Sequence, residues 1–147
     1  MFSNFLEKTN GVTGLLPVIT AGNGAVAGVA VDRLGYLSCG LLYTAGICPS
    51  VPTGFTVAMK IQHSDTTTSG DFVDFATIET FGTAADLSAA SVTKYWDVNL
   101  RGAKRYIRAV QTLTFTGGTS PSQLAAIAVV LGDKNVDPAG NAVVYGS

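Results

Sequence analysis

Phe55-Thr56-Val57-Ala58-Met59-Lys60-Ile61-Gln62-His63 is the stretch that decides the fold. Phe55, Val57, Met59 and Ile61 share one face, while Thr56, Lys60 and Gln62 take the other. That period of two predicts a strand buried on one side only. Gly54 bounds the run before it and the polar stretch Ser64 to Gly70 follows. Phe72-Val73-Asp74-Phe75-Ala76-Thr77-Ile78 then predicts a second strand, making a hairpin with a long turn.

The same logic extends in both directions. Leu16 to Thr20 and Val26 to Val31 read as strands flanking the turn Ala21-Gly22-Asn23-Gly24. Tyr36 to Thr44 is bounded by glycines at 35 and 46, and Tyr95 to Leu100 alternates with Trp96, Val98 and Leu100 facing inward. Arg105 to Thr116 is rich in β-branched and aromatic residues and ends at Gly117-Gly118. The apolar run Leu124 to Leu131 has a composition a helix would tolerate, but Ile127, Val129 and Val130 favour a buried strand. Only Thr83 to Ser91, Ala-rich after a Thr cap, predicts a short helical turn. About eight short strands separated by Gly, Pro, Ser and Thr turns read as one all-β, jelly-roll-like sandwich over residues 1–147. Residues 1–10 form an expected N-terminal arm and 134–147 a C-terminal tail. The tail is either an extended arm that orders on a neighbour or simple fraying.

Charge is scarce. Only 13% of the 147 residues are charged while 47% are hydrophobic, so a covered surface is the economical reading and the chain leans towards an assembly subunit. A net charge of −1 excludes the basic excess of a dedicated nucleic-acid binder. No stretch approaches the ~20 apolar residues of a membrane helix. The first residues, Met1 to Glu7, lack the basic start of a secretory signal, which predicts folding in the cytoplasm. Cys39 and Cys48, without metal spacing, read as two reduced, buried small hydrophobes.

Catalytic patterns are missing. The one histidine, His63, is followed by Ser64 and Asp65, and strand neighbours point to opposite faces, so this string makes no triad. Gly22-Asn23-Gly24-Ala25-Val26-Ala27 formally matches a dinucleotide fingerprint, but a valine-rich strand follows where a helix is needed. No cofactor and no metal are expected, and the chain reads as a non-enzyme. The densest charge is the basic cluster Arg101, Lys104, Arg105 and Arg108. It reads either as internal pairing with Asp97, Asp71 or Asp74 or as a cationic edge that docks an acidic protein surface. With it, Phe2 and Phe5 of the arm complete the expected protein-interface residues.

Val31-Asp32-Arg33-Leu34-Gly35-Tyr36-Leu37-Ser38 resembles the D-R-x-G-Y-x-S opening of small proteins encoded in tailed-phage structural modules. Gln62-His63-Ser64-Asp65, Phe72-Val73-Asp74-Phe75 and Lys104-Arg105-Tyr106-Ile107-Arg108 follow in the order found there. The resemblance covers roughly residues 26 to 131 and rests on strand and turn patterns. It implies a capsid decoration, or cement, protein of jelly-roll type on the outside of a virion. Its implied partners are the major capsid protein and further copies of itself, as a symmetric dimer or trimer, with neither nucleic acid nor membrane. Two alternatives stand beside it: a tail, baseplate or fibre component, and a carbohydrate-binding sandwich that stacks sugars on Tyr95, Trp96 and Tyr106.

Overall fold

The computed structural model describes residues 9–46, 52–82 and 92–134. Nine strands lie there: β1 (Asn10–Ala21), β2 (Gly24–Ala27), β3 (Val31–Asp32), β4 (Tyr36–Ala45), β5 (Gly54–Ser64), β6 (Val73–Phe81), β7 (Val92–Asn99), β8 (Tyr106–Thr116) and β9 (Ser122–Lys134). All pairings are antiparallel. One sheet has the order β1-β9-β4-β7, the other β2-β8-β5-β6, with β3 continuing the β2 edge along β8. With β2 and β3 taken as one interrupted strand, the eight strands fall in the two-sheet, double Greek-key arrangement of a jelly roll.

The predicted alternation holds where it was clearest. Phe55, Val57, Met59 and Ile61 of β5 are all buried, and Phe115 opposite Phe55 stacks on it at 4.6 Å. The opposite sheet contributes Leu41, Tyr43, Ile127, Val129 and Leu131 to the same core. The run Leu124 to Leu131 is strand, lying inside β9, because its odd-numbered residues face the core between two partner strands.

Both open sides of the sandwich are closed by specific contacts. On one side the predicted strand Val26 to Val31 breaks in the middle. Gly28 N donates to Ala109 O of β8 (2.7 Å), and Val29 N donates to Gly14 O of β1 (2.8 Å), so the chain bridges the two sheets there. On the other side Glu79 of β6 accepts from Lys94 Nζ (3.0 Å) and Trp96 Nε1 (2.8 Å) of β7. Phe81 packs edge-on against Tyr43 and tilted against Trp96 beneath that link.

Strand β1 is longer than the predicted Leu16 to Thr20. It begins at Asn10, and two register shifts, between Thr13 and Leu15 and between Leu15 and Val18, break its period of two. Asn10 opens β1 and Lys134 closes β9, so pairing takes in the inner residue of each expected arm. Residues 1–8 and 135–147 of the arms, the predicted helical turn Thr83 to Ser91, and Cys48 lie outside the described residues. Cys39 is a free, buried thiol, pushed up to about 12 by burial and by Asp97.

Two positions test this packing. A Cβ at Gly28 would collide with the Gly14 carbonyl, whereas one at Gly70 would meet nothing within 4 Å. Gly28→Ala should therefore cost about 3 kcal/mol, and Gly70→Ala less than about 0.5 kcal/mol, in paired urea unfolding curves. Gln111 is fully buried, between Val26 and Met59 on the flanking strands, and its side-chain amide finds no partner among the described residues. Gln111→Met should raise stability by about 1 kcal/mol, read as a higher urea midpoint, because it removes a desolvated amide that makes no bond.

Candidate functional site

The basic cluster forms around a turn that crosses between sheets. Residues 100–105 run from β7 in one sheet to β8 in the other, so the turn is no hairpin. Leu100 is buried and its N–H donates to Leu37 O at 2.8 Å, while Gly102, with φ +85°, lets the chain reverse. Asn99 Oδ1 caps the turn by accepting from Arg101 N at 2.9 Å.

Arg33, to which the sequence alone assigns no role, organises this turn. Its guanidinium donates to the carbonyls of Lys104 (Nε, 2.8 Å), Tyr36 (3.0 Å) and Ala103. It thereby ties the β3–β4 connection to the β7–β8 connection. Burial pulls its pKa below the ordinary arginine value. The only advance signal was its place in Asp32-Arg33-Leu34-Gly35, where it reads as one more loop charge.

Around this clamp the four predicted cations separate. Arg105 lies just before β8 and makes a two-pronged pair with Asp32, with Nη2 to Oδ2 at 2.8 Å and Nε to both oxygens at 3.2 Å. Lys104 pairs with Asp65 at 3.0 Å. Arg108, on the outer face of β8, donates to Gln62 Oε1 (2.9 Å) and Ser69 Oγ (3.0 Å) and lies 4.3 Å over the Phe72 ring. The expected acids Asp71, Asp74 and Asp97 are thus not the ion-pair partners of the cluster: Asp74 pairs with Lys60 at 2.8 Å, and Asp71 accepts from Thr66 Oγ1. The reason is the sheet crossing, which brings β3 and the β5–β6 loop beside the turn. Arg101 makes no ion pair among the described residues and stands exposed. Phe2 and Phe5 lie outside the described residues.

His63 accepts from Lys104 N at 3.2 Å through Nδ1 and stacks against Phe75, while Ser64 Oγ accepts from Thr66 N. These bonds are structural. Among the described residues no three His, Cys, Asp or Glu side chains are grouped to hold a metal. The three aromatics of the carbohydrate reading also separate. Tyr95 is 74% exposed on one outer face, Trp96 points inward to Glu79, and Tyr106 lies beside Arg105 at the other sheet.

The larger feature is a contrast between the two outer faces. On the β2-β8-β5-β6 side, Lys60, Gln62, Asp74 and Arg108 form a bonded polar set, and Thr56, Thr112 and Thr114 lie beyond it towards the start of β5. The β1-β9-β4-β7 side is apolar. Of the eight large hydrophobic side chains exposed among the described residues, five lie there: Leu16, Ile19, Leu42, Tyr95 and Leu124. Asp97 stands on the edge strand β7 of that face, and Arg101 and Asp133 lie near it beside Ser38, Gly40 and Asn99.

The carboxylates of the edge contacts are held below their ordinary range: Asp32 chiefly by Arg105, Asp74 by Lys60 and Gln62, and Glu79 by Trp96 and Lys94. His63 is held below its usual value by burial and then by Lys104. Each group binds its proton less readily folded than unfolded, so each contributes stability at neutral pH that is lost as pH falls. The thermal midpoint should decline first below about pH 6.5 and more steeply below about pH 4.5. Glu79→Gln should flatten the steeper limb in calorimetry at stepped pH, and a midpoint unchanged down to pH 3 would contradict the assignment.

The chain matches no protein-family model and no curated protein at a significant level. Its fold is shared with solved viral structures. A structure of infectious bursal disease virus, Gx strain, superposes with a TM-score of 0.58 at 10% identity, covering 92% of this chain and 34% of that one. The VP2 protein of the same virus in derived T=1 particles gives 0.57 at 10% identity, over 92% and 33%. The PBSX exported protein XepA gives 0.50 at 16% identity, over 94% and 42%. This chain thus spans about a third of the length of the viral chains it matches, and what it shares with them is the jelly roll itself.

Proposed function

We propose that this chain is a structural subunit of a tailed-phage particle, decorating and stabilising the outside of the capsid through contacts with the major capsid protein and with further copies of itself. The observation that carries the reading is the apolar outer face of β1-β9-β4-β7, a solvent-facing surface with the composition of an interface core. The shared fold with capsid proteins and the ordered phage-type motifs support it. The fit is mechanical: many weakly held copies around a shell add their interface energies, because each contact raises the effective concentration for the next.

The cationic corner is the contact proposed for an acidic surface of the shell. Arg101 leads it, since Lys104, Arg105 and Arg108 already have partners within the chain. Phe2 and Phe5 are proposed as anchors of the N-terminal arm on a neighbour.

Particles assembled without this protein should form and then release DNA at a lower temperature than complete particles, measured by dye access during heating. Adding purified protein back should restore the loss, and Arg101→Glu should restore it less well. Equal heat resistance with and without the protein would remove the stabilising role. A few copies per particle, placed at the tail, would assign it to the tail or fibre instead.

A further inference from the structure

The apolar face carries a pattern beyond its hydrophobicity. Strand register lines up Thr13, Ala128, Leu42 and Tyr95 as one row across β1, β9, β4 and β7. The row runs from two small side chains to two large ones. The next outward row is Gly11, Val130, Gly40 and Asp97, in which each larger side chain has a glycine beside it.

A two-fold axis parallel to the strands, passing between β9 and β4, maps each row onto itself in reverse order. Tyr95 of one copy then meets Thr13 of the second, and Leu42 meets Ala128. In the neighbouring row Val130 meets Gly40, and Asp97 meets Gly11. Large falls on small in both rows, and no charge meets a like charge. A groove lies between β1 and β9 on the receiving side, with Gly11, Thr13, Pro17, Ala128 and Val130 among the residues that line it.

We infer that this face is the interface of an isologous dimer, in which two copies pack their β1-β9-β4-β7 sheets face to face with Tyr95 of each seated in the β1–β9 groove of the other. Aligned packing of two sheets at about 10 Å is the ordinary geometry of a sandwich interior. Four strands about ten residues long give a footprint of roughly 600 Å² per copy, or about 1,200 Å² for the pair, the lower end of stable specific interfaces. The opposite outer face lacks this character, because its polar side chains already bond to one another. The inference deepens the reading of the chain as an assembly subunit and names the surface that joins the copies. It is tested in solution, apart from any particle, so either claim can fail alone.

Sedimentation velocity on the full chain at micromolar concentrations, with thermal melting of every variant, tests it. The wild type should sediment as a dimer. Tyr95→Lys should weaken dimerisation by about 10-fold or more, the effect of losing an aromatic side chain seated in a groove, while leaving the monomer folded. Ala128→Leu should weaken it by setting large against large, and Leu42→Ala combined with Ala128→Leu should restore it, since the exchange keeps large on small. A monomeric or trimeric wild type would overturn the inference, as would a dimer indifferent to Tyr95→Lys or a double variant without rescue. A monomeric wild type whose binding to empty heads is lost with Tyr95→Lys would give the face to the shell instead. Lower melting of a monomeric Ala128→Leu protein would mean that the chain's own residues cover the face.

Discussion

The ladder between β5 and β8 is the joint from which the rest of the structure hangs. It runs without a register shift from Gly54 opposite Thr116 to Ser64 opposite Tyr106. One strand of this pair is the clearest period-two run in the chain, so a slip by one residue would turn Phe55, Val57, Met59 and Ile61 towards water. That penalty fixes the register of β8. Through β8 it fixes β2 and β3, which pair with no other strand among the described residues. The second sheet is then held by packing onto this one and by the two lateral links, Val29 to Gly14 and Glu79 to Lys94 and Trp96.

The ladder also explains an imbalance. Apart from the β5–β6 hairpin and the interruption between β2 and β3, consecutive strands lie in opposite sheets, so neighbours within a sheet come from distant parts of the chain. Each such pairing closes a long loop before it is rewarded, which makes folding slow and dependent on strong alternation. Turns that cross between sheets need stiff local geometry to land correctly. The Arg33 clamp on the carbonyls of Tyr36, Ala103 and Lys104 supplies it at one pole.

The sandwich was legible because burial on one side writes itself into β5 and β7 as a period of two, while β9, apolar on both faces, reads as strand from Ile127, Val129 and Val130. The extent of β1 was not, because its bulges change the phase at Gly14 and again near Pro17, and a phase change erases the signal. The ion-pair partners of the cations were hidden for another reason. Asp32 and Asp65 lie far from Arg105 and Lys104 in sequence and meet them only through the sheet crossing. Low charge points to an apolar outer surface somewhere, but its place depends on which strands stand side by side. Leu42, Ala128 and Tyr95 belong to one row only because β4 lies between β9 and β7.

The described chain enters at Thr9 and leaves at Lys134, and pairing of Asn10 with Leu131 and of Tyr36 with Lys134 sets both points at the pole of the Arg33 clamp. The exposed turn Gly117 to Ser120 sits at the other pole, beside the paired ends of β1 and β9 at Ala21 and Ser122. The domain is therefore polar in the mechanical sense. Foreign peptide spliced into the 117–120 turn would be carried at the far tip, away from the cations and from both ends of the described chain. As a scaffold for display, the described domain carries its insertion turn at one pole and its clamp at the other.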